Sequence, residues 1–219
     1  MSTDKHCRDK VAPPGSSLYY ATLYLPREQQ AAVIALLAWR AEIAEVLAEC
    51  TDPGVARIKL HWWREEMDRA FTGQARHPVT QALSPHIASH GLAKAPFLTA
   101  IDVHDRELDR PVYPDRISLD QALNELGALW RISAEICGAS DADSAQHLGK
   151  AIELSESIQE LRQRAGRGAL RVAQDELEGF NLHLSDLQTS APRPEAQEFA
   201  TLQVRRAMDS LAHALAVVP

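Results

Sequence analysis

From Pro26 to Val217 the apolar residues recur at spacings close to the 3.6-residue turn of an α-helix, and no stretch alternates β-branched with polar residues. This periodicity restricts the chain to an all-α fold. The first helical run starts at Pro26, which fits a first turn because its missing N–H costs nothing there. It continues through Ala32, Ile34, Ala35, Leu37, Ala38, Ile43, Val46 and Leu47 and stops at Thr51-Asp52-Pro53-Gly54. Asp52 reads as the N-cap and Pro53 as the first residue of the next helix, which carries Val55, Ile58, Leu60, Trp62, Trp63, Met67 and Phe71 and ends at Gly73. Trp62 and Trp63 are adjacent and cannot share a helical face, so one of them is expected to be buried against the helix at 28–50.

Shorter helices are expected over 78–90 and 95–109, then a loop from Arg110 to Asp115. Two long helices follow, over 118–138 and 141–165, parted by Gly138-Ala139-Ser140. The pattern weakens after Gly166-Arg167-Gly168, and a last helix runs from Pro194 to Val217 with Ala200, Val204, Ala207, Leu211 and Leu215 on one side. Residues 1–16 end in Pro13-Pro14-Gly15-Ser16 and read as a flexible leader, which leaves 17–219 as one helical domain.

Charge and cysteine usage exclude several functions. The net charge is -7 and the pI about 5.7, which argues against nucleic acid as a partner, since phosphate binding needs clustered Lys and Arg. No apolar run reaches the length that crosses a bilayer, and the polar first ten residues do not form a secretory signal. Cys7, Cys50 and Cys137 lie far apart without CxxC spacing, as in a reducing compartment. The expectation is a cytoplasmic protein, with peripheral membrane contact left open. Cys50 and Cys137 are expected to pack as small apolar residues. His61, His77 and His147 show no metal-ligand spacing to one another, and no ExxH motif suggests a di-iron site.

Four stretches resemble the squalene/phytoene synthase family. They are Ser16-Ser17-Leu18-Tyr19-Tyr20-Ala21 with Leu25-Pro26-Arg27-Glu28; Leu60-His61-Trp62-Trp63-Arg64-Glu65-Glu66 through Gly73 to His77-Pro78-Val79-Thr80-Gln81-Ala82-Leu83; Ile101-Asp102 through Leu108-Asp109-Arg110-Pro111 to Tyr113; and His147-Leu148-Gly149-Lys150-Ala151 through Arg167-Gly168. The second is the most specific. The resemblance implies a helical bundle of the isoprenoid synthase type. Family enzymes join two isoprenoid diphosphates head to head, and two acidic motifs on facing helices hold the magnesium that stabilises the departing diphosphate.

The chain departs from that pattern at the acidic motifs. Against a first motif of the form REVDDIVDE it reads Ala41-Glu42-Ile43-Ala44-Glu45-Val46-Leu47-Ala48-Glu49, with alanine where the family places its aspartate pair and Arg40 beside the lost arginine. The second motif survives as Glu156 and Glu160, with Arg164 in place of the final aspartate. The chain also stops soon after the last helix, where family enzymes continue, so a C-terminally shortened bundle is expected.

Two readings follow. In one, Glu45/Glu49 and Glu156/Glu160 are solvated faces, no catalytic residue or metal ligand remains, no cofactor is needed, and the fold binds an isoprenoid or lipid or docks a protein partner. The stretch 144–151 resembles the branch of the family that assists complex I assembly. In the other, the four glutamates hold magnesium in a working prenyl transferase, although Glu45/Glu49 sit about 100° around the helix from Ala44/Ala48. The substrate-contact candidates are Ser17, Tyr19, Tyr20, Arg40, Glu45, Glu49, Glu156, Glu160 and Arg167, with Arg164, Arg167 and Arg171 read as one basic group on a loose segment.

Overall fold

The structure, a computed structural model, describes residues 2–110, 112–139, 141–164, 170–187, 189 and 191–217. Its helices are α1 (Thr3–Val11), α2 (Ser17–Thr22), α3 (Arg27–Glu49), α4 (Pro53–Phe71), α5 (Pro78–Ser89), α6 (Ala95–Glu107), α7 (Arg116–Ile136), α8 (Ala142–Arg164), α9 (Gln174–Gly179) and α10 (Pro194–Val217), with a short 3-10 turn at Leu184–Leu187. No strand occurs among the described residues. The fold is all-α, as expected. The chain divides into two compact units, Met1–Ile101 with Ile132–Ser140, and Asp102–Arg131 with Asp141–Pro219.

In the first unit α3 is the central helix. Eight consecutive residues, 32–39, are buried, so this stretch has no solvent face. Trp39 meets the edge of Phe97 at 5.0 Å, and Phe71 closes on the same ring at 5.8 Å. Asp52 caps α4 by accepting the Val55 amide at 3.0 Å, with Pro53 in the first turn. After α4 the chain turns through Gly73, whose φ of 75° suits glycine. His77 then caps α5, its Nδ1 accepting the Val79 amide. Of the adjacent tryptophans Trp63 is the buried one, and its ring lies 4.8 Å from that of His77.

The stretch expected as a flexible leader contains a helix instead. Ser2 caps α1, which packs on α3 and α5, buries Cys7 and leads into buried Ala12. Few apolar residues announce it, because its anchor is polar: the Lys10 ammonium reaches Glu42 at 3.1 Å and Glu45 at 2.6 Å on α3.

In the second unit α8 packs along α10. A core of Leu119, Leu123, Leu154, Ala173 and Ala207 adjoins the helix pair, and Leu170, Val172, Leu177, Leu182, Ala196 and Phe199 form another. The chain after α8 is pinned beside α7 by an isolated bridge, in which the Tyr113 amide donates to Val172 and the Gln174 amide to Tyr113. The buried face of α10 carries Ala196, Phe199, Gln203, Ala207 and Ala214, while Val204, Met208, Leu211 and Leu215 are exposed. The stripe expected from the sequence is therefore rotated: Phe199 and Ala196 face the core, and Gln203 on the same face bonds Glu176 at 2.9 Å. Cys137 is exposed and Cys50 half-buried, so Cys7 is the cysteine that packs as an apolar residue.

Two glycines set the approach of α7 to α8. A methyl group on Gly149 would lie 2.6 Å from Trp130 Cδ1 and 2.8 Å from the Gly127 carbonyl oxygen, and one on Gly127 would lie 2.6 Å from the Gln146 oxygen. At an open helical site Gly→Ala stabilises by about 0.5–1 kcal/mol. Here the overpacking reverses the sign, and Gly149→Ala is expected to cost about 1–3 kcal/mol. Urea unfolding measures it, and a midpoint equal to or above the parent's would show that the helices have room.

Candidate functional site

On α3 the positions of the family's aspartate pair hold Ala44 and Ala48. Magnesium takes near-octahedral oxygen ligands at about 2.0–2.1 Å, and methyl groups offer none. The neighbouring carboxylates are engaged elsewhere, since Glu42 and Glu45 both receive Lys10. Glu49 is exposed near the end of the helix. This donor set does not fit magnesium. Ser17 is exposed at the start of α2, where Ser16 provides the cap. Tyr19 is half-buried and meets exposed Tyr20 edge to face at 5.3 Å, and Arg40 is half-buried on α3.

The most specific motif has a structural explanation in Glu66. This carboxylate is fully buried on α4 and accepts four bonds: the Arg76 amide at 2.6 Å, the His77 amide at 2.8 Å, the Thr80 hydroxyl at 2.5 Å and Arg69 Nε at 2.7 Å. Burial works to raise its pKa, and the Thr80 hydroxyl, the two amides and Arg69 outweigh it, holding the group at about 2. Two of those amides are orphan donors at the entry to α5, so Glu66 joins α4 to α5. The pattern of tryptophans, glutamates and a later His-Pro-Val-Thr is that staple written in sequence.

In the second unit Glu156 is half-buried on α8. Arg167 lies outside the described residues, and so do the side chains of Glu160 and Arg164. One turn before Glu156, a polar cluster that the sequence did not announce fills the interior. Arg171 is buried, not part of an exposed basic group. Its Nε donates to Glu107 at 2.8 Å and its Nη1 to Glu153 at 2.9 Å. Tyr113 donates its hydroxyl to the same Glu107 oxygen at 2.8 Å, and His104 Nε2 stands 3.4 Å from Arg171 Nη2. Burial pushes the Glu107 pKa upward, and the Arg171 guanidinium reverses this, keeping the carboxylate well below its usual range. Burial and the Glu107 charge together drive the Tyr113 phenol up, so it stays a hydrogen-bond donor. Beside this cluster a cavity of about 200 Å³ is lined by Arg106, Arg110, Val112, Tyr113, Ser118 and Gln121 among others. It is smaller than the roughly 300–1,000 Å³ of typical small-molecule sites.

A family model described as squalene/phytoene synthase matches residues 11–219. The chain belongs to the squalene/phytoene synthase family. Among curated relatives, NADH dehydrogenase (ubiquinone) complex I, assembly factor 6 of Bos taurus is 27% identical over 154 residues, covering 68% of this chain and 46% of that protein. The Homo sapiens protein of the same name matches to the same extent. The chain thus spans about half the length of these relatives. Presqualene diphosphate synthase of Rhodopseudomonas palustris is 26% identical over 206 residues, covering 91% of this chain and 73% of that protein. Among solved structures, squalene synthase HpnC from Alicyclobacillus acidocaldarius superposes with a TM-score of 0.78 at 22% identity, over 99% of this chain and 84% of that one. A dehydrosqualene synthase in complex with ligand gives 0.81 at 16% identity, over 97% and 75%. These likenesses establish the isoprenoid synthase fold.

The squalene/phytoene synthase motif around Glu66 makes a testable statement about acid stability. The folded pKa lies below the ordinary 4.5, so the stabilisation is complete above that value and is lost as pH falls through about 2. Glu66→Gln is expected to cost about 2–3 kcal/mol at neutral pH, the range for hydrogen bonds to a charged group. The gap between parent and variant should close as the pH is lowered toward 2. Denaturant midpoints measured across that range check it, and a pH-independent gap would show that the carboxylate charge is not what Glu66 contributes.

Proposed function

We propose that this member of the squalene/phytoene synthase family has lost metal-dependent prenyl transfer and uses its helical fold to dock a partner. The observation that carries this reading is the missing oxygen donor at Ala44 and Ala48, beside carboxylates already paired with Lys10. Ionising an allylic diphosphate concentrates negative charge on the leaving group, and cations must meet it. The carboxylates that would gather magnesium for that task are absent from this face of α3.

The partner we favour is a protein, as for an assembly or interaction factor. Two observations support it. Relatives named as complex I assembly factors match two thirds of the chain. Large apolar residues also remain in water: Tyr20, Leu23 and Tyr24 around α2, and Val204, Met208, Leu211 and Leu215 on α10. An isoprenoid or lipid is the second class of ligand this reading accommodates. No helix of the described residues is long and apolar enough to cross a membrane.

Two observations favour an active enzyme. Relatives named presqualene diphosphate synthase match along 91% of the chain, and Glu45/Glu49 and Glu156/Glu160 are spaced to share helical faces. The two readings separate in an assay for magnesium-dependent pyrophosphate release from farnesyl and geranylgeranyl diphosphates. We expect release no greater than in a protein-free control. Magnesium-dependent release that disappears in Glu156→Gln would establish the synthase reading instead.

A further inference from the structure

α5 carries His86 in its last turn and His90 at its C-cap. Residues four apart lie one above the other on a helix, so the two imidazoles share a face. Their ring centroids are 6.2 Å apart and their planes are inclined by 39°. Glu28, in the first turn of α3, stands over the same face with its Oε1 3.6 Å from His90 Nε2. One ligand atom from each of the three residues can be chosen so that all lie within 4.8 Å of one another.

We propose that Glu28, His86 and His90 form a binding site for a divalent transition-metal ion, zinc being the ion the ligands suit best.

Three properties of the site support this. Two imidazoles and one carboxylate are a known ligand set for zinc with an open fourth position, and imidazole selects zinc and its neighbours over magnesium and calcium. With bonds of about 2.0–2.1 Å, ligand atoms around a tetrahedral ion stand roughly 3.3 Å apart, so the 3.6 Å between His90 and Glu28 is already close to what the ion requires. His90 Nε2 is buried and has no hydrogen-bond partner, a cost that a metal bond would remove.

Glu28 is mostly exposed, so its carboxylate is free to close the remaining distance and water can complete the coordination shell. Asp4 of α1 adds a further negative field at His86. The ion would tie the start of α3 to the end of α5. It is a different place from the family's acidic motif: Glu28 and Ala44 are sixteen residues apart on one helix, about 24 Å at 1.5 Å per residue.

The test uses the tag-free full chain, stripped with chelator and titrated with zinc chloride by calorimetry, with cobalt chloride as a spectroscopic substitute. We expect one saturable site per chain and a rise in melting temperature on adding zinc. Cobalt should show ligand-field absorption without a thiolate charge-transfer band, which separates this site from Cys7, Cys50 and Cys137. His90→Ala should abolish the site. Glu28→Gln should weaken it by about tenfold or more, and its metal-free melting temperature, read beside the parent's, separates lost ligation from lost folding. Retention of the parent affinity in Glu28→Gln and His90→Ala would overturn the proposal, as would a thiolate band, or heats that do not saturate.

Discussion

The second unit depends on one buried set of charges, Arg171 between Glu107 and Glu153. Taking each ion from water costs several kcal/mol, and attraction offsets that cost only where the geometry is good and the remaining hydrogen-bonding groups are satisfied. Here they are. The guanidinium donates to both carboxylates, Tyr113 donates to Glu107, and Arg171 Nη2 lies 3.4 Å from both the second Glu107 oxygen and His104 Nε2. Because no member of the set tolerates the loss of another, the end of α6, the middle of α8 and the chain after α8 must be in place together. The bridge between Tyr113 and Ala173 follows from this, since it holds Tyr113 and Arg171 at the two sides of Glu107.

In the first unit, too, key acidic residues are satisfied by the protein's own donors. Glu66 is saturated by two amides, a hydroxyl and Arg69. Glu42 and Glu45 are joined by Lys10 from α1. In a synthase of this fold the carboxylates of the first motif have to be left open to gather magnesium. In this chain the α3 positions that would do so are alanine, and the nearby glutamates serve to hold a helix in place. Packing agrees with a fold under structural constraint, since Gly127 and Gly149 bring α7 and α8 into backbone contact.

The helices were legible in the sequence because their ends are marked by local chemistry. Pro26, Asp52-Pro53, Gly73 and Pro194 each stop or start an element through backbone preferences that act within a few residues. α1 was not legible, because it is held by an ion pair to residues more than thirty positions away and shows only Cys7 and Ala12 to the core. The buried face of α10 is not evident from the sequence because apolar residues lie on two of its faces, and the covered one, with Phe199 in the core, also carries the polar Gln203 bonded to Glu176. The site followed the same rule. Arg171 was grouped with its sequence neighbours as a surface cation, since its partners at 107 and 153 are 64 and 18 residues away. His86 and His90 are visible in the sequence as a four-residue spacing inside an expected helix, but Glu28, which completes the group, lies 58 residues before His86.

The measurement that tests this account most directly is the unfolding free energy of Arg171→Met beside that of the triple variant Arg171→Met, Glu107→Leu, Glu153→Leu. If the guanidinium is the counter-charge around which the second unit is built, the single variant leaves two carboxylates buried without a cation and loses about 3–5 kcal/mol. The triple variant removes the charges together and should recover most of that loss. A single variant as stable as the parent would contradict the account, because the interior carboxylates would then be neutralised by something other than Arg171.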